Sequence, residues 1–279
     1  MACLKVAEYK PDQQAPSVMS TLSATNRSRQ KVLGYPVDVV DEPIALSIIE
    51  DAWERGRGMH VVTLNAEMVV TAQQNADLDR IIRHAHLIVP DGAGVVWAVK
   101  LNGQQEISRL PGIELAAGAL ARAASSGRRV ALLGGKPEVM EQLLEVLPKR
   151  FPGLNIVAQH HGYFTVDEQE AIVDQIAEHE PQLLLVALGV PKQEYVIDQL
   201  SSIMPHTVKI GVGGSFDVWT GQVKRAPAIM RKLNLEWLYR LCKEPWRFSR
   251  IMSALPNFFF QVLQDTVMGG SKPDDQPKE

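Results

Sequence analysis

The chain has 279 residues, 46% of them hydrophobic and 22% charged, with a formal net charge of -3. That is enough apolar material for the core of one large α/β domain or two small ones, and it excludes a fibrous or wholly disordered chain. Cys3 and Cys242 stand far apart with no CxxC or CxxH partner, so neither a disulfide framework nor a zinc site is encoded, and a reducing cytoplasm fits.

Residues 1–30 are rich in Ser, Gln, Asn and Thr without periodicity, and Lys5, Glu8, Lys10 and Asp12 interrupt any signal-peptide core. They read as a disordered leader. Lys31 to Val40 holds two short apolar runs across a Gly-containing turn, which predicts a β-hairpin. Asp41-Glu42-Pro43 then opens a helix whose buried stripe is Ala45, Ile48, Ile49 and Ala52. From His60 the pattern repeats strand, loop and helix. Strands are predicted at Val61–Leu64, Leu87–Val89, Val130–Leu133, Leu154–Val157, Leu183–Leu188 and Val208–Val212. Helices are predicted at Ala66–Ala85 (with a break near Asn75), Ile113–Ser126, Pro137–Arg150, Asp167–Glu178 and Lys192–Ser202. Because these strands are continuous apolar runs, they are expected to be buried on both faces, in a Rossmann-like open parallel sheet with helices on either side. The longest apolar run, near Leu183 to Val190, is far short of the roughly 20 residues of a membrane span.

Right-handed crossovers bring the loops after all these strands to one edge of the sheet, where open α/β folds bind their ligands. In Leu87 to Val96 an apolar strand stops at Pro90, Asp91 sits on a small-residue turn with Gly92 and Gly94, and a helix resumes at Val95. Asp91 is the candidate for chemistry, and its plain alternative is a cap on that helix. Gly134-Gly135 and Gly213-Gly214 each follow a strand, which suits backbone N–H groups aimed at a phosphate, although tight turns explain either pair as well. Neither pair matches GxGxxG or the Walker pattern. Asp77-Leu78-Asp79 has the Asp-x-Asp spacing of metal-using glycosyltransferases. It lies in a segment of helical spacing and reads as a solvated helix start, so no metal site is expected there. His84, His86, His160 and His161 lack a ligand pattern and read as structural or surface residues.

The charge is uneven. Between Lys224 and Arg250 eight basic residues face two glutamates, which leaves that segment at +6 and the rest at -9. Leu233 to Leu241 is amphipathic, and it is followed by Trp246, Phe248 and the run Phe258-Phe259-Phe260. Arginines interleaved with aromatics suit an anionic lipid surface, and the apolar content, with Leu255, Phe258, Phe259, Val262, Leu263 and Val267 on the last helix, favours that over nucleic acid. A helix merely packed on the domain is the remaining reading. The expected organisation is therefore a leader (1–30), an α/β domain (31–225), a C-terminal basic helical appendage (226–268) and a polar tail (269–279).

Six ordered segments carry a resemblance: Thr63 to Glu67, Pro90 to Val96, Arg109 to Gly112, Gly189 to Glu194, Gly211 to Asp217 and Gly221 to Pro227. Over about residues 31–255 the chain resembles the WecG/TagA/CpsF glycosyltransferases (glycosyltransferase family 26) of bacterial cell-surface polysaccharide assembly. The resemblance implies inverting, metal-independent transfer of a hexose from a UDP-sugar to an undecaprenyl-diphosphate-linked sugar at the inner face of the cell membrane, with no cofactor. It gives Asp91 the role of base, Thr63 and Asn65 that of orienting the sugar, Arg109 and Gln193 contact with the nucleotide-sugar, and Asp217 contact with uridine. Arg240, Arg247 and Arg250 would close over the departing UDP, whose charge needs cations when no metal is present. The donors implied are N-acetylmannosamine, its uronic acid or glucose. Two other readings stand beside it, a sugar-nucleotide oxidoreductase and a catalytically silent, membrane-associated nucleotide-binding protein. Oligomeric state is not specified, and a homo-oligomer through the hairpin or central helices is compatible with the pattern.

Overall fold

The computed structural model describes residues 27–103, 106–227, 229–230, 236, 238–239 and 248–268. Strands β1 (Arg29–Val32) and β2 (Tyr35–Asp38) form the expected antiparallel hairpin. Its turn residues, Leu33 and Gly34, both have positive φ (50° and 81°), the turn handedness that matches the twist of paired strands. The hairpin starts at Arg29, inside the segment expected to be a leader; residues 1–26 lie outside the described ones. Asp38 explains the earlier start. Its buried carboxylate accepts from Arg29 Nε at 2.8 Å and Nη2 at 3.0 Å, pairs with Arg27 and also accepts from the Ile88 N–H at 2.7 Å. A buried carboxylate persists only when satisfied in this way, and here it ties the hairpin to the main sheet.

Helix α1 (Glu42–Glu54) is capped by Asp41, whose Oδ1 accepts from the Ile44 N–H, and it buries Ala45, Ile48, Ile49 and Ala52 together with Leu46 and Trp53. The main sheet has six strands, β3 (Met59–Leu64), β4 (Leu87–Pro90), β5 (Arg129–Gly134), β6 (Asn155–His160), β7 (Leu183–Ala187) and β8 (Val208–Gly211). All neighbours are parallel, in the order β4-β3-β8-β7-β5-β6. Helices α2 (Ala66–Gln73) and α3 (Ala76–His84) follow β3, and α4 (Ala93–Leu101) and α5 (Gly112–Ser125) follow β4. Next come α6 (Pro137–Arg150), α7 (Val166–Ala177), α8 (Lys192–Ile203), the short α9 (Ser215–Trp219) and α10 (Phe248–Val267). The break between α2 and α3 falls at Asn75, whose side chain caps α3 by accepting from the Leu78 N–H.

One sheet face is covered by α1, α5, α6 and α9 over Val61, Leu87, Val89, Leu132, Leu185 and Ile210. The other carries the hairpin, α2, α3, α4 and α10 over Val62, Leu64 and Ile88, and α7 and α8 over Leu133, Leu184 and Val186. Burial on both faces accounts for the unbroken apolar runs.

Three expectations change. Strand β4 does not stop before Pro90, which pairs in register with Leu64. Proline is tolerated because β4 is an edge strand. Its carbonyl accepts from the Leu110 N–H, and in this register the ladder bond to Leu64 O comes from the Asp91 N–H, so none is lost at Pro90. Helix α4 then begins at Ala93 rather than Val95. Strand β6 runs later than expected, through Gln159 and His160, and is only partly buried. It forms the opposite edge, and its register against β5 shifts at Val130/Ala131, so the apolar pattern marks only its first half.

Candidate active site

In a parallel sheet the C-terminal ends of the strands share one edge, and the loops leaving β3 and β8 depart to opposite faces, which opens a crevice between these neighbours. Thr63 and Asn65 end β3 beside it. Thr63 is buried and its Oγ1 donates to the Gly211 carbonyl at the end of β8, 3.2 Å away. Asn65 caps α2 by accepting from the Met68 N–H at 3.0 Å. The neighbouring turn is pressed against them. A Cβ on Gly92 would lie 3.0 Å from the Asn65 Cβ, and a Cβ on Gly112 would lie 2.9 Å from Thr63 Cγ2. Glycine at these points lets the β4 turn and the start of α5 close on the β3 loop.

Asp91 is half-buried on that turn, and its N–H donates to Leu64 O at 3.0 Å. It is not the cap of α4. The N-cap position is Gly92, and no side chain caps this helix. Asp91 therefore stands next to Thr63 and Asn65 without serving the local role that its sequence position also allowed.

The glycine pairs have structural uses. Gly134 has φ +124°, and any Cβ there would overlap the Ala187 carbonyl of β7. The Gly135 N–H donates to that same carbonyl, and the Gly135 carbonyl accepts from the Gly162 N–H. The Gly213 N–H donates to Gln193 Oε1 at 3.1 Å, and Gly214 is the N-cap of α9. The amides of Gly135 and Gly213 are thus already paired within the protein, which supports the tight-turn explanation at both positions. Gln193 is only 2% exposed, with its own amide spent on Gly213 and Glu194, so it shapes the site from below. Asp217 lies in the first turn of α9, half-buried at the same edge.

Arg109 is partly buried, and its Nη2 donates to Glu236 Oε2 at 2.6 Å. Glu236 belongs to the appendage. Its other oxygen lies 3.9 Å from Arg225 Nε, and Arg225 in turn donates to Glu114 at 2.5 Å. This chain of charges fastens the appendage to the domain beside the site, and Arg109 Nε is buried with no hydrogen-bond acceptor among the described residues. Arg240 and Arg247 lie outside the described residues, as do most of 231–247 and the tail from 269; Arg250 lies in the first turn of α10.

Helix α10 seats against α2 and α4. Phe258, Ala254 and Val262 are buried there, Trp97 and Phe259 meet edge to face at 4.9 Å, and Phe258 lies 3.4 Å from where a Gly94 Cβ would be. The apolar residues expected on a lipid-facing side therefore divide between two faces. Phe258 and Val262 are core, while Phe260, Leu263, Val267 and Met268 are exposed. None of the described helices is long and apolar enough to cross a membrane.

Asp77 and Asp79 lie in the first turn of α3, with Asp79 bound to Arg83, as the helix-start reading expected. His84 and His86 are both exposed; His84 is bonded to Arg80 O, while His86 Nδ1 accepts from the His60 N–H and its pKa is lowered by partial desolvation of the ring and then by the nearby His60. The buried pairing of His60 with Glu194 had no part in the sequence expectation: His60 opens an apolar strand, Glu194 ends the polar stretch Pro191-Lys192-Gln193-Glu194, and nothing in the sequence joins them.

The pattern of the Glycosyl transferase WecG/TagA/CpsF family matches residues 30–272. The chain belongs to this family. It is thus a glycosyltransferase, and the oxidoreductase reading falls away. Among its relatives is the N-acetylglucosaminyldiphosphoundecaprenol N-acetyl-beta-D-mannosaminyltransferase of Bacillus spizizenii, 36% identical over 231 residues, which covers 82% of this chain and 89% of that protein.

Proposed function

We propose that this glycosyltransferase moves a hexose of the N-acetylmannosamine type from a UDP-sugar to a sugar linked to undecaprenyl diphosphate, in cell-surface polysaccharide biosynthesis, with inversion and without a metal. The observation that carries the reading is that the turn bearing Asp91 is bonded to the Thr63-Leu64-Asn65 segment, the Asp91 N–H donating to Leu64 O at 3.0 Å and Gly92 pressing on Asn65, at the C-terminal edge of β3 and β4. The sugar transferred and the acceptor in the name of the Bacillus spizizenii relative support the substrate class. In a single displacement the acceptor oxygen attacks the anomeric carbon, its proton passes to the Asp91 carboxylate, and the bond from the anomeric carbon to the UDP oxygen breaks. Thr63 and Asn65 line the approach. The departing diphosphate gathers negative charge, which Arg109 and the arginines of the appendage, Arg240, Arg247 and Arg250, are suited to neutralise.

The lipid-linked acceptor requires the site to work at a membrane surface. The exposed apolar face of α10, formed by Phe260, Leu263 and Val267 and continued by Met268, follows directly on the basic stretch 224–250 and supports peripheral attachment at the inner face of the cell membrane. The test is UDP release from UDP-glucose, UDP-N-acetylglucosamine, UDP-N-acetylmannosamine and its uronic acid, each with a short polyprenyl-diphosphate-linked N-acetylglucosamine acceptor, with and without EDTA. Acceptor-dependent release from UDP-N-acetylmannosamine that survives EDTA is expected. Release that needs a divalent cation, or UDP binding with no turnover under any pairing, would overturn the reading, the latter in favour of a silent nucleotide-binding protein.

A further inference from the structure

Glu194 is fully buried at the first turn of α8, at the end of the sheet that faces the crevice. A buried carboxylate is costly to desolvate, and an apolar side chain of the same volume would hold a helix on a sheet at lower cost. Its two oxygens are fully used. Oε2 lies 2.7 Å from His60 Nε2 on β3, and Oε1 accepts from Gln193 Nε2 at 2.8 Å. The Gln193 amide has only one useful orientation, because a carboxylate can only accept and the Gly213 N–H can only donate; its Oε1 therefore faces Gly213. These side chains also press on Gly211, where a Cβ would lie 2.5 Å from Gln193 Nε2 and 2.7 Å from Glu194 Oε1. The Gly211 carbonyl in turn receives the Thr63 hydroxyl.

We infer that Glu194, backed by His60, is a positioning residue for transfer: it orients the Gln193 amide, which pins the Gly213 N–H and so sets the turn from β8 into α9 against the Thr63 loop. The carboxylate touches no substrate. It acts through Gln193 on the turn that leads into α9 and Asp217, and it joins strand β3 to the loops after β7 and β8. A hydrophobic residue could fill the same volume but could not orient the amide. The consequence for binding rests on the nucleotide-sugar reading above, whereas the consequence for the turn does not.

The experiment compares Glu194→Gln, which keeps an acceptor oxygen for Gln193, with Glu194→Leu, which removes it, in the full chain. Gln193→Met, which deletes both bonds of the amide, stands in should Glu194→Leu fail to fold. Two readouts are taken, amide hydrogen exchange by peptide over 211–217 and UDP affinity by calorimetry. In Glu194→Leu, exchange over 211–217 is expected to rise at least tenfold while β5 and β7 stay protected, and UDP binding is expected to weaken about tenfold. Glu194→Gln should stay within about threefold of the parent in both. Equal protection of 211–217 in the Leu and Gln variants, or a loss of protection spread over the whole sheet, would overturn the positioning role. If the parent chain itself does not bind UDP, the nucleotide reading fails, and the exchange comparison still decides for or against the positioning of the turn.

Discussion

The two ends of the sheet's C-terminal edge are built differently. On the β4-β3-β8 side, loops are joined by side chains: Thr63 to Gly211, Gln193 to Gly213, and the Gly92 turn against Asn65. On the β5-β6 side they are joined by backbone, with Gly134 and Gly135 folded onto Ala187 and Gly162 closing on both. Both stretches are rich in glycine, yet only in the first do short polar side chains make the links between loops. A glycine-rich loop in such a sheet is thus ambiguous until the partners of its amides are known.

That contrast yields ordered predictions. The largest stability effect belongs to α10, which rests on the β4 side. Phe258→Ala removes a fully buried ring from between α2 and α4 and is expected to cost about 3–5 kcal/mol in urea unfolding. A loss under 1 kcal/mol would mean that the appendage is not part of the core. At the other end, Gly134→Ala should cost about 3 kcal/mol, because a Cβ there collides with the β7 backbone and φ is +124°. Wild-type stability in that variant would return the glycine pair to phosphate binding.

Lys209 on β8 sharpens the comparison from beneath the crevice. It is 2% exposed, its Nζ donates to the carbonyls of Met204 and Thr207, and burial lowers its pKa from 10.5 to about 8. Between pH 8 and 10.5 the unfolded chain therefore binds more protons than the folded one. Stability should rise with pH through that window, by no more than about 3 kcal/mol, and be flat in this respect below pH 8. Urea midpoints of Lys209→Met against the parent across the window check this, since the rise should vanish in the variant. The smallest effect on stability, within about 0.5 kcal/mol, is expected for the pair Phe260→Ser and Leu263→Ser on the exposed face of α10. Liposome flotation should nonetheless fall severalfold in that double variant, and unchanged flotation would remove the face from membrane attachment.

Much of this architecture is legible in the residues. Largely apolar runs mark β3, β4, β5 and β7, with Lys209 interrupting β8; Asn75 marks the break between α2 and α3, and Leu33-Gly34 marks the hairpin turn. What escapes the sequence depends on position in space. Pro90 sits inside a strand because β4 lies at an edge, and sheet order is not a local property. Likewise β6 is half polar because nothing covers its outer side as fully. On α10 the apolar residues divide into a buried row (Ala254, Phe258, Val262) and an exposed row (Phe260, Leu263, Val267), and composition alone merges them. Of the candidate site, the neighbouring Asp91 turn and Thr63-Leu64-Asn65 segment are marked by small and polar residues at strand ends. The Glu194 and His60 pair is not, because a buried charge looks in sequence like an exposed one.

The central claim, that Asp91 takes the acceptor proton, is tested most directly by acceptor-dependent UDP release in Asp91→Asn alongside UDP affinity measured on the same protein. The account predicts turnover lower by roughly 10² or more, with affinity for UDP within about twofold of the parent, since an amide keeps the shape of the turn but cannot act as a base. Turnover within a few-fold of the parent in that variant would contradict it.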